Sequence, residues 1–171
     1  MKKKNLIIIL FSLTLIVITG CGRGVKEKDE KTGKERNVFT CIKNGIEQTS
    51  SDKKESYTMS QKEVAKVDND GYLIYYSSKS TYTMKSKESC EKSCETAKKW
   101  NDEINAKNNP GSHRDTKCNC DKNEYSQERI YDDIPNLSKY VRSDINNLKD
   151  DNTFDIDEFI KHYEKYGYNC N

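Results

Sequence analysis

The stretch "SCEKSCETAKKW" at residues 89–100, read together with "KCNCDK" at 117–122, says how a helix is fastened to a sheet. On a helix, Cys90 and Cys94 share a face and lie about 6 Å apart along the axis, at ~1.5 Å rise per residue. On a strand, Cys118 and Cys120 point to one side, about 6.6 Å apart at ~3.3 Å per residue. The spacings match, so two sulfur bridges can join a helix to a strand. "NNPG" at 108–111 reverses the chain between them, and the two elements run antiparallel. Cys94 and Cys118 are then nearer the turn. The expected pairs are Cys94–Cys118 and Cys90–Cys120, which leaves Cys41 for Cys170. A crossed pairing of the inner four needs only a small shift of the helix.

Whether these sulfurs oxidise depends on compartment. "MKKKNLIIILFSLTLIVITGCGRG" has three lysines, an apolar run from Leu6 to Ile18, a small pair, and Cys21. A basic start and a short apolar core describe a secretory leader. The run falls short of the ~20 apolar residues of a comfortable membrane span. "ITGC" resembles a bacterial lipobox, in which Cys21 would carry a diacylglyceryl group and become the mature N-terminus. Two acyl chains suffice for stable anchoring, where one is marginal. The expected organisation is a lipoprotein signal peptide at 1–20, a lipidated Cys21 with a flexible stalk to residue 36, and one extracytoplasmic domain at 37–171. The stalk reading rests on "GRGVKEKDEKTGKER", which has mixed charges and no apolar periodicity.

Taking three leader lysines from the 30 basic residues leaves 27, against 28 acidic. No strong field remains to draw nucleic acid. Apolar content from Cys21 onward is roughly 29%, thin beside the ~45–50% of ordinary domains on a scale that also counts Gly. A domain so poor in core needs covalent support, and six cysteines besides Cys21 make three disulfides in an oxidising compartment. The rival readings of Cys90, Cys94, Cys118 and Cys120 are a zinc site and a redox centre. "CEKSC" has a spacing that zinc sites use, whereas "CNC" is too tight. No C-x-x-C opens a helix.

The remaining pattern reads as α+β. "NVFTCIKNG" is a first strand ending at the turn signal Asn44-Gly45. "ESYTMSQKEVAKV" and "YLIYYSSKSTYTM" are strands around the "DNDG" hairpin at 68–71. Tyr-Thr-Met recurs at 57–59 and 82–84, too short to be a repeat. Ser86 caps a helix over Lys87–Ala106 whose inner face is Cys90, Cys94, Ala97, Asn101 and Ile104, with Trp100 at its margin. "HRDTKCNCDK" and "SQERIYDDI" are two more strands. Leu137, Tyr140, Val141, Ile145 and Leu148 predict a second helix. "DIDE" at 155–158 opens a third, with Gly167 at its end. The expected fold is an antiparallel sheet of about four to five strands with two to three helices, stapled by disulfides.

Three fragments carry a family likeness: the lipobox Cys21, "FTC" at 39–41 and "FIKHYEKYGYNC" at 159–170. With the order of elements, they make the chain resemble the small uncharacterised lipoproteins of low-GC Gram-positive bacteria. It is similar, more distantly, to the YehR-like lipoprotein family. The likeness implies an α+β fold and a membrane-anchored location, and it supplies no catalytic residues. The cysteines at 90, 94, 118 and 120 depart from the YehR-like pattern.

Other motifs give little chemistry. "DNDG" and "FDIDEF" lack the arrangement of a calcium loop. His113 and His162 belong to no ligand set. There is no phosphate-cradling glycine loop and no nucleophile elbow. The acids Asp150, Asp151, Asp155, Asp157 and Glu158 read as a solvated run and a helix start. The expected function is therefore a non-enzymatic binding module at the cell envelope, held at the membrane by its diacylglyceryl anchor, with no cofactor and no nucleic-acid partner. Its partner would be an envelope protein, a peptide or a glycan. The alternative is a thiol-redox or metal-binding protein using the four inner cysteines. Tyr72, Tyr75, Tyr76 and Tyr82 are the candidate ligand surface, with Tyr75 on the opposite strand parity from the other three.

Overall fold

The computed structural model describes residues 24–28, 35–50, 55–107 and 109–171. The expected leader, the expected lipidation site Cys21 and part of the expected stalk lie outside the described residues. The elements are β1 (Val25–Lys28), β2 (Glu35–Thr49), β3 (Ser56–Val67), β4 (Leu73–Thr83), α1 (Lys87–Asn105), β5 (Ser112–Asn119), β6 (Glu124–Tyr131), α2 (Lys139–Arg142), α3 (Ile156–Lys165) and β7 (Asn169–Cys170). The strands form one antiparallel sheet in the order β1-β2-β3-β4-β6-β5, with β7 beside β2.

The sheet has seven strands, which corrects the expectation of four to five. The two additions carry no hydrophobic period. β1 ("VKEK") falls within the expected stalk and is exposed along its length. It pairs with β2 from Val25↔Val38 to Lys28↔Glu35, and the Glu27 carboxylate bridges Arg36 at 3.3 Å and Lys66 at 3.1 Å. Charged pairs across strands hold it, so an apolar pattern has nothing to detect. β7 is two residues long and is fixed by the bond of Cys170 to Cys41 directly opposite.

Asn44-Gly45 makes a bulge, not a turn. β2 continues to Thr49, and its register with β3 shifts between Lys43 and Ile46, with Gly45 at φ 68°. The hairpin follows at Ser50, whose backbone N–H donates to the Glu55 carbonyl at 2.7 Å. The second expected helix shrinks to the single turn α2. Leu137, Val141 and Ile145 are nonetheless buried. Their spacing is met by an irregular segment that the Arg142 guanidinium ties to the Ile134 and Lys149 carbonyls at 3.3 and 2.6 Å.

The three disulfides are Cys41–Cys170, Cys90–Cys120 and Cys94–Cys118, with Cα separations of 4.1, 5.5 and 6.0 Å. These are the pairs that the spacing argument selects. Cys120 begins a 3-10 turn rather than continuing β5. The helices cover one face of the sheet. Tyr76 packs against Phe159 of α3, and Cys118, aligned through Tyr125 with Tyr82, bonds to α1 on that same face. The main core fills the space between the sheet and α2–α3, around Phe39, Leu73, Tyr76, Tyr131, Phe159 and Ile160. Asn105 closes part of the outer edge of β5: its amide donates to the Arg114 carbonyl at 2.8 Å and accepts from the Arg114 N–H at 2.9 Å. An edge bonded this way offers less backbone to another chain.

Candidate functional site

Strand register builds the floor of a cleft beside α1. On the helix-bearing face, Tyr82 of β4 stands opposite Met59 of β3 and Tyr125 of β6. Tyr82 and Tyr125 stack at 4.7 Å and 11°, and Tyr57 leans on Tyr82 at 5.8 Å. The next row is Gln61, Ser80, Gln127 and Thr116, and the row after it is Glu63, Ser78, Arg129 and Arg114. Beyond them begins the apolar core, with Ala65, Tyr76 and Tyr131. An aromatic row and two polar rows thus form a floor, because same-face residues on paired strands align.

α1 overhangs this floor. Trp100 is 49% exposed, with the Arg114 guanidinium 4.5 Å from its ring centre. Asn101 is 3% exposed and donates to Thr116 Oγ1 at 2.6 Å, while its Oδ1 has no partner among the described residues. Two depressions share Trp100 and Gln127. One, of ≈ 520 Å³, extends along α1 past Thr96 and Tyr125, and the other, of ≈ 290 Å³, reaches Ser78, Ser80, Asn101 and Arg129.

Between this floor and the apolar core runs a buried hydrogen-bonded chain. Glu63 is 4% exposed and accepts from the Tyr76 and Ser78 hydroxyls, both at 2.9 Å. The Tyr76 proton goes to Glu63, so the Tyr163 hydroxyl, 3.0 Å away, donates to the Tyr76 oxygen. Tyr168 donates to Gln61 Oε1 at 2.6 Å. Burial raises the Glu63 carboxyl above its ordinary value, opposed by the Tyr76 and Ser78 bonds and the Arg129 charge. Burial also raises the phenols of Tyr76 and Tyr163, and that of Tyr125 to about 12. Arg129 is held by Asp144 at 2.9 Å and Tyr131 at 3.2 Å.

The four tyrosines singled out from the sequence do not share a surface. Tyr82 belongs to the aromatic row. Tyr76 is buried in the core. Tyr75 is on the opposite face beside Lys66, 5.1 Å from its ring. Tyr72 precedes β4 and bridges to Thr153. The parity argument fails at Tyr72 because the β3–β4 register shifts between Lys66 and Val67, adding a residue to β4. Tyr57, Tyr125 and Gln127 escape a sequence reading, and Trp100 is legible only as the margin of the first helix's inner face. A signal existed for Tyr57 alone: the two Tyr-Thr-Met triplets lie on adjacent strands with Thr58 opposite Thr83, which brings Tyr57 against Tyr82.

The acids do local structural work. Asp155 caps α3 through the Glu158 N–H at 3.1 Å, and Asp151 accepts from the Thr153 N–H at 2.9 Å. His113 is 3.9 Å from Asp132, and His162 packs on the rings of Tyr163 and Tyr166. Among the described residues, no cluster of three or more His, Cys, Asp or Glu is placed to hold a metal ion. The four inner cysteines are joined in pairs, which leaves no thiolate among them for redox or metal chemistry in this state.

These features define a two-layer α+β domain with a lined cleft, equipped with stacking faces, amides, hydroxyls and a guanidinium. No protein family, curated protein or solved structure matches the chain.

Proposed function

We propose that the protein is a non-enzymatic, membrane-anchored lipoprotein of the cell envelope that binds a glycan in the cleft beneath Trp100. The observation carrying this reading is the half-exposed indole, steadied by Arg114, over a floor of stacked Tyr82 and Tyr125 beside Ser80 and Gln127. A sugar ring has an apolar C–H face that packs on an aromatic ring and a hydroxyl rim that needs planar donors and acceptors. The cleft supplies both kinds of group within a concave surface, as small-ligand sites do. The leader, the lipobox and three disulfides in a core-poor domain support the envelope location. A thiol-redox or metal role would first require the inner disulfides to open.

Trp100 is the only tryptophan, so its fluorescence reports the cleft directly. Titration with β-1,4-linked N-acetylglucosamine oligomers and with α-linked glucose oligomers should give saturable emission changes for at least one series. Binding followed by calorimetry should vanish in Trp100→Ala with the fold retained. Undiminished affinity in that variant, or no response to either series, would refute the glycan reading.

A further inference from the structure

The edge of the sheet farthest from α1 carries an arrangement that the cleft does not use. β7 takes the positions on β2 opposite Cys41 and Ile42, immediately beyond those held by β1. The tether therefore meets the domain at Gly24, part-way along that edge. Gly24 has φ +125°, and any side chain there would run into the Phe39 ring. Cys21 is three residues before it, so its Cα lies no more than ~11 Å from Gly24 at 3.3–3.6 Å per residue. A lipid on Cys21 cannot hold the domain on a long stalk; it holds this edge at the bilayer.

The edge has the side chains for that position. Of the six large apolar residues exposed among the described residues, Val25 (59%), Ile42 (37%) and Tyr166 (55%) lie along it. Val25 and Ile42 are on the helix-free side, through their pairing with Val38 and Asn169. Tyr166 is at the end of α3, and its carbonyl accepts from Lys43 Nζ at 2.8 Å. Lys165 stands 6.0 Å from the Tyr166 ring. Tyrosine with flanking lysines suits the headgroup layer, where the ring sits at the boundary and the ammonium groups reach toward lipid phosphates. Of the acids on β1 and at the start of β2, Glu27 is bridged by Arg36 and Lys66, and Glu35 by Lys26 at 3.7 Å.

We infer that the β1–β2–β7 edge, with Val25, Ile42 and Tyr166, is a membrane-contact surface that rests on the phospholipid headgroups. The proposal rests on the lipoprotein reading of Cys21. It also sets the position of the cleft. The β4–β6 floor is three to four strand spacings from β1, about 14–19 Å at ~4.8 Å each, so the cleft stands clear of the headgroups.

The test separates this surface from native lipidation. In the oxidised chain from Cys21 onward, Cys21 is the one cysteine outside the three disulfides. It can therefore be coupled to maleimide-bearing phosphatidylethanolamine in phosphatidylcholine–phosphatidylglycerol vesicles. Hydroxyl-radical footprinting then compares the vesicle-bound protein with the same protein uncoupled. Oxidation of Tyr166 should fall severalfold on the vesicle, while Trp100 and Tyr72 react as in solution. A flexible Gly-Ser insert between Cys21 and Gly24 should restore Tyr166 reactivity. Equal Tyr166 oxidation in both states, or protection at Trp100 instead, overturns the proposal. Protection that grows with protein density on the vesicle would mark a second copy as the occupant and overturn it too. Failure of native lipidation at Cys21, read separately by membrane fractionation and intact mass, bears on the lipoprotein reading alone.

Discussion

Removing the two bonds between α1 and the β5 end should show a coupling whose size follows from their nesting. Cys94–Cys118 spans 24 residues and Cys90–Cys120 spans 30. In the chain-entropy account, either bond alone restricts the unfolded chain by about 3.5 kcal/mol. With one closed, the other adds only a small ring through 90–94 and 118–120, roughly seven residues and about 2.3 kcal/mol. Replacing Cys90 and Cys120 by Ala, or Cys94 and Cys118 by Ala, should thus cost about 2.3 kcal/mol each through chain entropy. Replacing all four should cost about 6 kcal/mol, more than the sum of the two. Cys90 and Cys94 are buried, and each truncation leaves a small void. Independent void penalties cancel in the double-mutant cycle, which isolates a coupling of about 1.2 kcal/mol. The measurement is equilibrium guanidinium unfolding of four oxidised proteins, all keeping Cys41–Cys170. Additive penalties, or one single-bond removal costing as much as the loss of both, would refute the reasoning.

Burial holds the Glu63 carboxyl above its ordinary 4.5, so the folded chain keeps a proton that the unfolded chain has released. Wild-type stability should therefore fall relative to Glu63→Gln as pH rises from about 4.5 through the raised value, in urea melts across that window. A gap that stays constant with pH would sink the idea. Asn105→Ala removes both bonds to the Arg114 backbone and should cost about 1–2 kcal/mol, seen as a lower Tm and more association through the β5 edge. Unchanged melting and unchanged sedimentation would show that the edge needs no such cover.

Legibility in this chain tracks locality. β3, β4 and the turn between them are written in neighbouring residues: Asp68 Oδ1 accepts from the N–H groups of Asp70 and Tyr72, and Gly71 takes φ 87°. α1 is equally local, from its Ser86 cap to the buried stripe of Cys90, Cys94, Ala97 and Asn101. β1 and β7 were invisible because ion pairs and a disulfide, not apolar alternation, fix them. The cleft was harder still. Tyr57, Tyr82 and Tyr125 come together only after two pairings are in register, one of them across the whole α1–β5 excursion. Trp100 is visible as a residue at the margin of a narrow helical face, but its partner Arg114 is set by the disulfide-bonded turn-back of β5. A single inserted residue at the β4 start was enough to separate Tyr72 from Tyr76. The thiol pairs were readable because matching two rises, one helical and one extended, needs no long-range register.

The three bonds close like nested brackets: 94–118 inside 90–120, inside 41–170. No bond crosses another in sequence, so none requires a closed loop to be threaded. Order of appearance is another matter. In any process that delivers this chain N-terminus first, Cys41 appears earliest of the six bonded cysteines and its partner latest, while Cys90 and Cys94 become available to it long before Cys170. Oxidation faster than folding would trap Cys41 with the wrong sulfur. The outer bracket thus ties the two ends of the domain at the one place where the assembled sheet sets Cys170 opposite Cys41.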